Sequence, residues 1–179
     1  CILMTNYDVI VIGSGPGGYV AAIRASQLGF KTAVVEKENV GGICLNWGCI
    51  PTKALLKSAA VYNYMSHAEN YGVQFEGTVK ADLPAIVSRS RGVADTMSKG
   101  IQFLFKKNNI EVLNGFCKVK KDKIVEVKDS EGSVSEYQAQ QIIIATGARS
   151  RELPNLPQDG KKSIGYREAM TLTEKPESM

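Results

Sequence analysis

Cys44 and Cys49 stand with four residues between them in the stretch GGICLNWGCIPTKALL, which runs from Gly41 to Leu56. Thiols at this separation can ligate a metal, staple a loop or exchange electrons with a dithiol. Structural zinc takes four Cys or His ligands, usually as two close pairs. Beyond this pair the chain offers Cys1, Cys117 and the single His67, none at ligand spacing, so no metal site is expected. A staple closing so short a loop contributes little. A redox-active pair fits best, and it sets a geometric condition. Residues five apart in a regular α-helix have Cα atoms roughly 8.7 Å apart, whereas a disulfide spans at most about 7 Å. If the two cysteines bridge, residues 44–49 cannot be plain helix, and Gly48 is where the backbone can bend. A thiol set before a helix N-terminus has its thiolate stabilised by the helix dipole. Cys49, the nearer to the following helix, is therefore the low-pKa candidate.

The elements that must hold this pair follow from the patterning. YDVIVI, residues 7–12, is a short β-branched run that stops at glycines, as a buried strand does. Residues 17–28 carry Val20, Ala21, Ile23, Ala25 and Leu28 at helical spacing, with Gly29 placed as a C-cap. KTAVVE, residues 31–36, is the next strand, and the βαβ unit so formed should cross over right-handed with parallel strands. Helices are expected over 51–67, with Pro51 in the first turn, and over 82–107. In the latter Asp82 caps, and Ile86, Val93, Met97, Ile101, Leu104 and Phe105 form the apolar stripe. IEVL at 110–113 is a strand. FCKVK, KIVEV and SVSEY form a small antiparallel meander, and QQIIIATG, residues 140–147, a buried strand. The fold class is thus α/β, a Rossmann-like domain with a parallel sheet plus a small meander over 1–147. The stretch 148–179, with Pro154, Pro157 and Pro176 and no strong period, is a connector with no evident partner in the chain.

The turn between the first strand and helix, GSGPGG, fits G-x-G-x-x-G. Gly13 permits the tight turn, Gly15 lets backbone approach a pyrophosphate, and Gly18 allows close packing of helix and strand. The helix N-terminus supplies N–H donors and a positive dipole end. Glu36 ends the second strand, where a carboxylate can accept from a ribose diol. These features do not choose between NAD and FAD, since both carry an adenosine ribose and a pyrophosphate.

The βαβ fingerprint, GGICLNWGCIPTKALL and ATG at 145–147 together resemble the pyridine-nucleotide–disulfide oxidoreductases, over nearly the whole chain from Met4. Within that family, Leu45, Asn46 and Ile50 look like the members that act on lipoamide rather than on glutathione or mercuric ion. The resemblance implies FAD as cofactor, with NAD used by the full-length parent. Gly13, Gly15, Pro16, Gly17 and Gly18 would bind the pyrophosphate, and Glu36 with Lys37 the adenosine end. Gly41, Gly42 and Cys44 would line the flavin site. Cys44 would be the interchange thiol, Cys49 the flavin-facing thiolate, and Lys53 a cation near the flavin ring. Gly115, Phe116 and Cys117 would touch the adenine by backbone, and Ala145, Thr146 and Gly147 would pass close to the cofactor.

The same resemblance implies a homodimeric parent more than twice this length. It would serve the lipoyl group of a 2-oxoacid dehydrogenase or glycine cleavage complex, with a base on the partner subunit. The present chain is then expected to be the FAD-binding N-terminal portion, not competent alone. Its 148–179 stretch would lead to an NAD-binding domain. A stand-alone flavin- or nucleotide-binding module and a portion of a related disulfide reductase share these motifs. His67, well past the cysteines, is read as a surface histidine.

Composition bounds the rest. The chain has 179 residues, 44% hydrophobic and 22% charged, with a net charge of +4. Lysines between Lys118 and Lys128 alternate with Val, Asp and Glu, as on solvated strand faces, so no nucleic-acid partner is expected. No apolar run approaches the ~20 residues of a membrane span. Four cysteines in a well-cored chain point to a reducing, cytoplasmic setting rather than a disulfide scaffold. Cys1–Leu3, ahead of Met4, are read as an extension with no assigned role.

Overall fold

The computed structural model describes residues 4–178, and the Cys1–Leu3 extension lies outside the described residues. In chain order the elements are β1 (Thr5–Ile12), α1 (Pro16–Gln27), β2 (Thr32–Glu36), α2 (Gly42–Trp47) and α3 (Cys49–Ser66). Then come α4 (Leu83–Lys107), β3 (Glu111–Asn114), β4 (Phe116–Val119), β5 (Ile124–Lys128), β6 (Val134–Ile144) and α5 (Tyr166–Ala169). Two compact units form. One joins residues up to Asn46 with Thr96–Arg149; the other joins Trp47–Asp95 with residues from Ser150 onward.

The first unit is built on one six-stranded sheet of order β3-β2-β1-β6-β5-β4. β3, β2, β1 and β6 run parallel, and β5 and β4 add antiparallel. The meander and the last strand of the parallel layer are therefore not separate. The expected segments 133–137 and 140–147 are one strand, β6. Its Tyr137 and Gln138 pair with β1 on one side and β5 on the other. A single residue, Gly115, joins the edge strand β3 to the opposite edge strand β4. Its amide donates to the Glu36 carbonyl at 2.8 Å. With φ +149°, a Cβ there would lie 2.3 Å from the Lys128 carbonyl oxygen, so only glycine fits. The sheet consequently folds over on itself. Val125 and Val127 of β5 share a buried cluster with Ile10, Ala33, Val35 and Leu113 of the parallel strands.

Local signals explain the helix limits. α1 ends with Gly29 at φ +91°, where Gly29 N–H donates to the Ser26 carbonyl and Phe30 N–H to that of Ala25. This is a Schellman closure. Asp82 Oδ1 accepts from Ala85 N–H at 3.0 Å and caps α4 as expected. The buried stripe of α4 differs from the expected one. Ser90, Ala94, Ser98, Ile101 and Phe105 are buried, while Met97 is 42% exposed. Two hydroxyls can be buried there because Ser98 Oγ donates to the Val40 carbonyl (2.7 Å) and Ser90 Oγ to that of Val87 (2.8 Å). The expected burial of residues 140–147 is also corrected: Ile143 and Ile144 are 38% and 72% exposed. In the second unit the stretch from Ser150 onward has structure of its own. It carries α5, whose Arg167 lies over the Trp47 ring, and the following Met170 Sδ accepts from Thr52 Oγ1.

At the far end of the parallel strands Tyr7 is 2% exposed, and its hydroxyl donates to Glu111 Oε2 at 2.5 Å. Burial first, and the Glu111 carboxylate second, push the phenol pKa well above its ordinary value. The folded chain keeps this proton when the unfolded chain begins to lose it near pH ~10. The stabilisation is thus intact below pH ~10. Stability then falls by up to about 1.4 kcal/mol per pH unit above it. Tyr7→Phe is expected to cost about 1–2 kcal/mol near neutrality and to flatten that slope. Denaturant melts of both proteins across this range check it, and a slope unchanged in the Phe variant would refute the assignment.

Candidate functional site

The glycine turn sits between β1 and α1, at the carboxyl ends of the parallel strands, where ligands of such sheets bind. Gly13 is at φ +98°, and a Cβ on it would meet the Ala145 carbonyl oxygen at 2.3 Å. A Cβ on Gly18 would lie 1.8 Å from the Gly13 carbonyl oxygen. These two glycines exist because the turn, helix and β6 end are in backbone contact. Gly15 and Gly17 differ: a Cβ on either meets nothing within 4 Å. Open space therefore lies over the start of α1. That helix begins with Pro16, has no acidic residue in its first turn, and its N-cap Gly15 makes no side-chain cap. A helix start without a side-chain cap or an acidic residue, under open space, fits an anion.

Around this turn the structure gathers Glu36, Lys37, Gly41, Gly42, Gly115, Phe116, Ala145 and the residues after it. Glu36 Oε2 accepts from the Ser14 amide (3.0 Å) and hydroxyl (2.5 Å), and Oε1 accepts from the Glu38 amide (2.9 Å). Lys37 Nζ stands 5.8 Å from the centroid of the exposed Phe116 ring. Ala145 N–H donates to the Ile12 carbonyl at 2.8 Å. Thr146 and Gly147 are exposed beyond it. Arg149 pairs with Glu38, tying the segment after β6 to the loop after β2. A cavity of about 420 Å³ is lined in part by Val40, Phe105, Lys106 and Asn114, the last being the register partner of Glu36. The Cys117 side chain turns away from this group. It packs against the buried cluster of the sheet, and burial pushes its thiol pKa up.

Gly42 begins α2 directly against the turn, since a Cβ there would lie 2.7 Å from Gly15 Cα. Asn46 holds this entry by donating to the Val40 (3.0 Å) and Gly42 (2.9 Å) carbonyls. Cys44 thus rides on a short helix anchored to the glycine turn. The geometric condition set by the cysteines is met: α2 stops at Trp47, Gly48 takes φ −145°, ψ −115°, and a new helix starts at Cys49. Cys44 and Cys49 are both disulfide-bonded, and the pair is a redox disulfide.

In the second unit, Cys49 is the first residue of the 18-residue α3, and Lys53 is exposed one turn later. Arg91 and Arg167 stack over Trp47, with guanidinium carbons 4.2 and 5.2 Å from the ring centroid. His67 caps the far end of α3, about 27 Å along the axis from Cys49, with Nδ1 2.9 Å from the Asn63 carbonyl. It cannot serve the disulfide as a base. Among the described residues no cluster could hold a metal ion, and no helix is long and apolar enough to cross a membrane.

Sequence reasoning missed Ser14, Arg149 and the Trp47 stack, and it read Asn46 as a family marker without its hydrogen bonds to Val40 and Gly42. Only Ser14 had a usable signal, a small polar residue inside a glycine turn, where hydroxyls bond nearby backbone.

A family model described as pyridine nucleotide-disulphide oxidoreductase matches residues 7–178. Dihydrolipoyl dehydrogenase from Rhizobium etli is 50% identical over 97% of this chain and 39% of its own length. That from Chlorobaculum tepidum is 50% identical over 99% of this chain and 38% of its own. The crystal structure of LpdA from Mycobacterium tuberculosis matches with a TM-score of 0.84 and 25% identity, over 96% of this chain and 38% of that one. The chain spans about two fifths of the curated relatives it matches. With its glycine turn, redox disulfide and mixed sheet, the chain belongs to the pyridine nucleotide–disulphide oxidoreductase family.

Proposed function

We propose that this chain is the FAD-binding, redox-disulfide portion of a dihydrolipoyl dehydrogenase, with residues 1–147 as the cofactor domain. The observation that carries this is the seating of α2: the helix bearing Cys44 starts in backbone contact with the glycine turn. One segment thereby connects a dinucleotide cradle to a redox disulfide. The open space over Gly15 and Gly17 and the uncapped start of α1 fit a pyrophosphate. Glu36 offers the ribose an acceptor, and Lys37 with Phe116 flanks the adenine end. Lys53 supplies a positive charge beside Cys49 in sequence.

The disulfide's own step is an exchange. A thiolate of a dihydrolipoyl group attacks Cys44 Sγ, the Cys44–Cys49 bond breaks, and Cys49 leaves as thiolate. The second lipoyl sulfur then attacks the mixed disulfide and releases Cys44. The substrate becomes a cyclic disulfide and the cysteine pair gains two electrons. FAD, when bound, would supply the acceptor for those electrons on their way to NAD⁺. A homodimeric parent in the cytoplasm, working on the lipoyl group of a 2-oxoacid dehydrogenase or glycine cleavage complex, completes the reading.

The test is a visible absorption spectrum of the purified chain after incubation with FAD and desalting. The expected result is a retained flavin band near one equivalent, and a colourless chain would refute FAD binding. Adding dihydrolipoamide to the chain and counting thiols should then show two new thiols, at Cys44 and Cys49. No new thiols would refute the exchange.

A further inference from the structure

Ser14 is 0% exposed, although it sits in a turn otherwise built of glycine and proline. Every polar group on it is used. Its amide and its hydroxyl both donate to Glu36 Oε2, at 3.0 and 2.5 Å. Its hydroxyl and its carbonyl oxygen both accept from the Gly41 amide, at 3.3 and 3.0 Å. One buried residue therefore joins the glycine turn, the acid at the end of β2 and the backbone that leads into α2. A carboxylate has about four acceptor positions. Ser14 fills those of Oε2, the Glu38 amide takes one on Oε1, and the remainder lies on Oε1 alone. A free glutamate side chain at a strand end samples many rotamers, whereas this one is held in place before any ligand arrives.

We propose that Ser14 is a positioning residue for the adenosine half of the cofactor: it fixes the Glu36 carboxylate and couples it to the Gly41–Gly42 backbone. The proposal rests on the FAD reading given above. Ser14 acts through Glu36, so its hydroxyl matters for binding only while the carboxylate is present. Hydrogen bonds to a charged acceptor are worth enough that losing this one should weaken FAD binding about tenfold or more.

The experiment is a double-mutant cycle on FAD dissociation constants, read by flavin fluorescence, for wild type, Ser14→Ala, Glu36→Ala and the double variant. Ser14→Ala should raise the dissociation constant about tenfold with Glu36 present and less than about twofold with Glu36 absent. Equal losses in both backgrounds would mean a general structural role and overturn the proposal, as would no loss with Glu36 present. Amide hydrogen exchange of the FAD-free proteins adds a readout independent of the cofactor. The Gly41 amide should exchange faster in Ser14→Ala, and unchanged exchange overturns the coupling to the α2 entry. A wild-type chain that binds no FAD overturns the cofactor reading itself. A wild type that binds while Ser14→Ala binds equally well overturns this inference alone.

Discussion

Ala at Gly18 should cripple the fold, while Ala at Gly15 should leave the fold intact and remove FAD binding. The added Cβ at position 18 would lie 1.8 Å from a backbone oxygen and 2.8 Å from its carbon, both of Gly13. Neither atom can swing aside as a flexible side chain could, so α1 must lift off the turn. Gly13 is itself braced against Ala145, so the lift disturbs β6 as well. Forced overpacking of this kind costs about 3 kcal/mol or more. For a chain of this size that corresponds to a fall in Tm of about 6–12 °C. At Gly15 the backbone is in an ordinary extended conformation, φ −66°, ψ −178°, and no atom lies within 4 Å of an added Cβ. Alanine should fold there with a Tm within about 2 °C of wild type, yet it fills the space through which a pyrophosphate would approach. Thermal melts and retained flavin absorbance separate the two effects. A Gly15→Ala chain that holds FAD normally would refute the phosphate role of the open space. A Gly18→Ala chain that melts with wild type would refute the contact argument.

The contrast between these two glycines shows what the sequence makes legible. The strand, turn, helix and strand from Tyr7 to Glu36 were readable because their signals are local: β-branched runs, a glycine turn, and Gly29 closing α1. Asp82 at the head of α4 was readable for the same reason. Three features depended on pairing across the chain and were not. SVSEY and QQIIIATG look like two strands because polar residues interrupt the apolar run. They are one strand because Tyr137 and Gln138 pair with β1 and β5 at once. Met97 has the hydropathy of a core residue, but Ser90 and Ser98 take the buried positions once carbonyls satisfy their hydroxyls. Cys117 and Phe116 are neighbours in β4, but Cys117 packs against the buried cluster while Phe116 stays exposed, a difference that only the pairing of β4 with β5 decides. The site itself was legible as residue types. Its wiring through Ser14 was not, because a serine between glycines looks the same whether it faces solvent or a carboxylate.

Once the disulfide is reduced, Cys49 should be the more acidic thiol of the pair, its thiolate favoured by the start of α3. The reason lies in the start of α3. Its N-cap is Gly48, which provides no side-chain acceptor, and its first turn has no acidic residue. The first amide paired within the helix is Thr52, to the Gly48 carbonyl. Pro51 has no N–H, and the positive end of the helix dipole falls on the residues of this first turn. A thiolate on the first residue of an 18-residue helix supplies the missing negative charge. Cys44 is inside the six-residue α2, where the dipole is smaller, so its thiolate should be favoured less than that of Cys49. Cys117 gives an internal reference at the other extreme, since burial raises its thiol pKa. Iodoacetamide alkylation across pH, resolved by peptide mass spectrometry, should therefore rank Cys49 first, Cys44 second and Cys117 last near pH 7. The order has a chemical consequence, because the sulfur of lower pKa leaves faster in thiol–disulfide exchange. An entering dithiol is then directed to Cys44 Sγ, and Cys49 is expelled as the stable thiolate. If Cys49 titrated at or above Cys44, the helix start would not set the polarity of the pair, and the two cysteines would have to exchange roles.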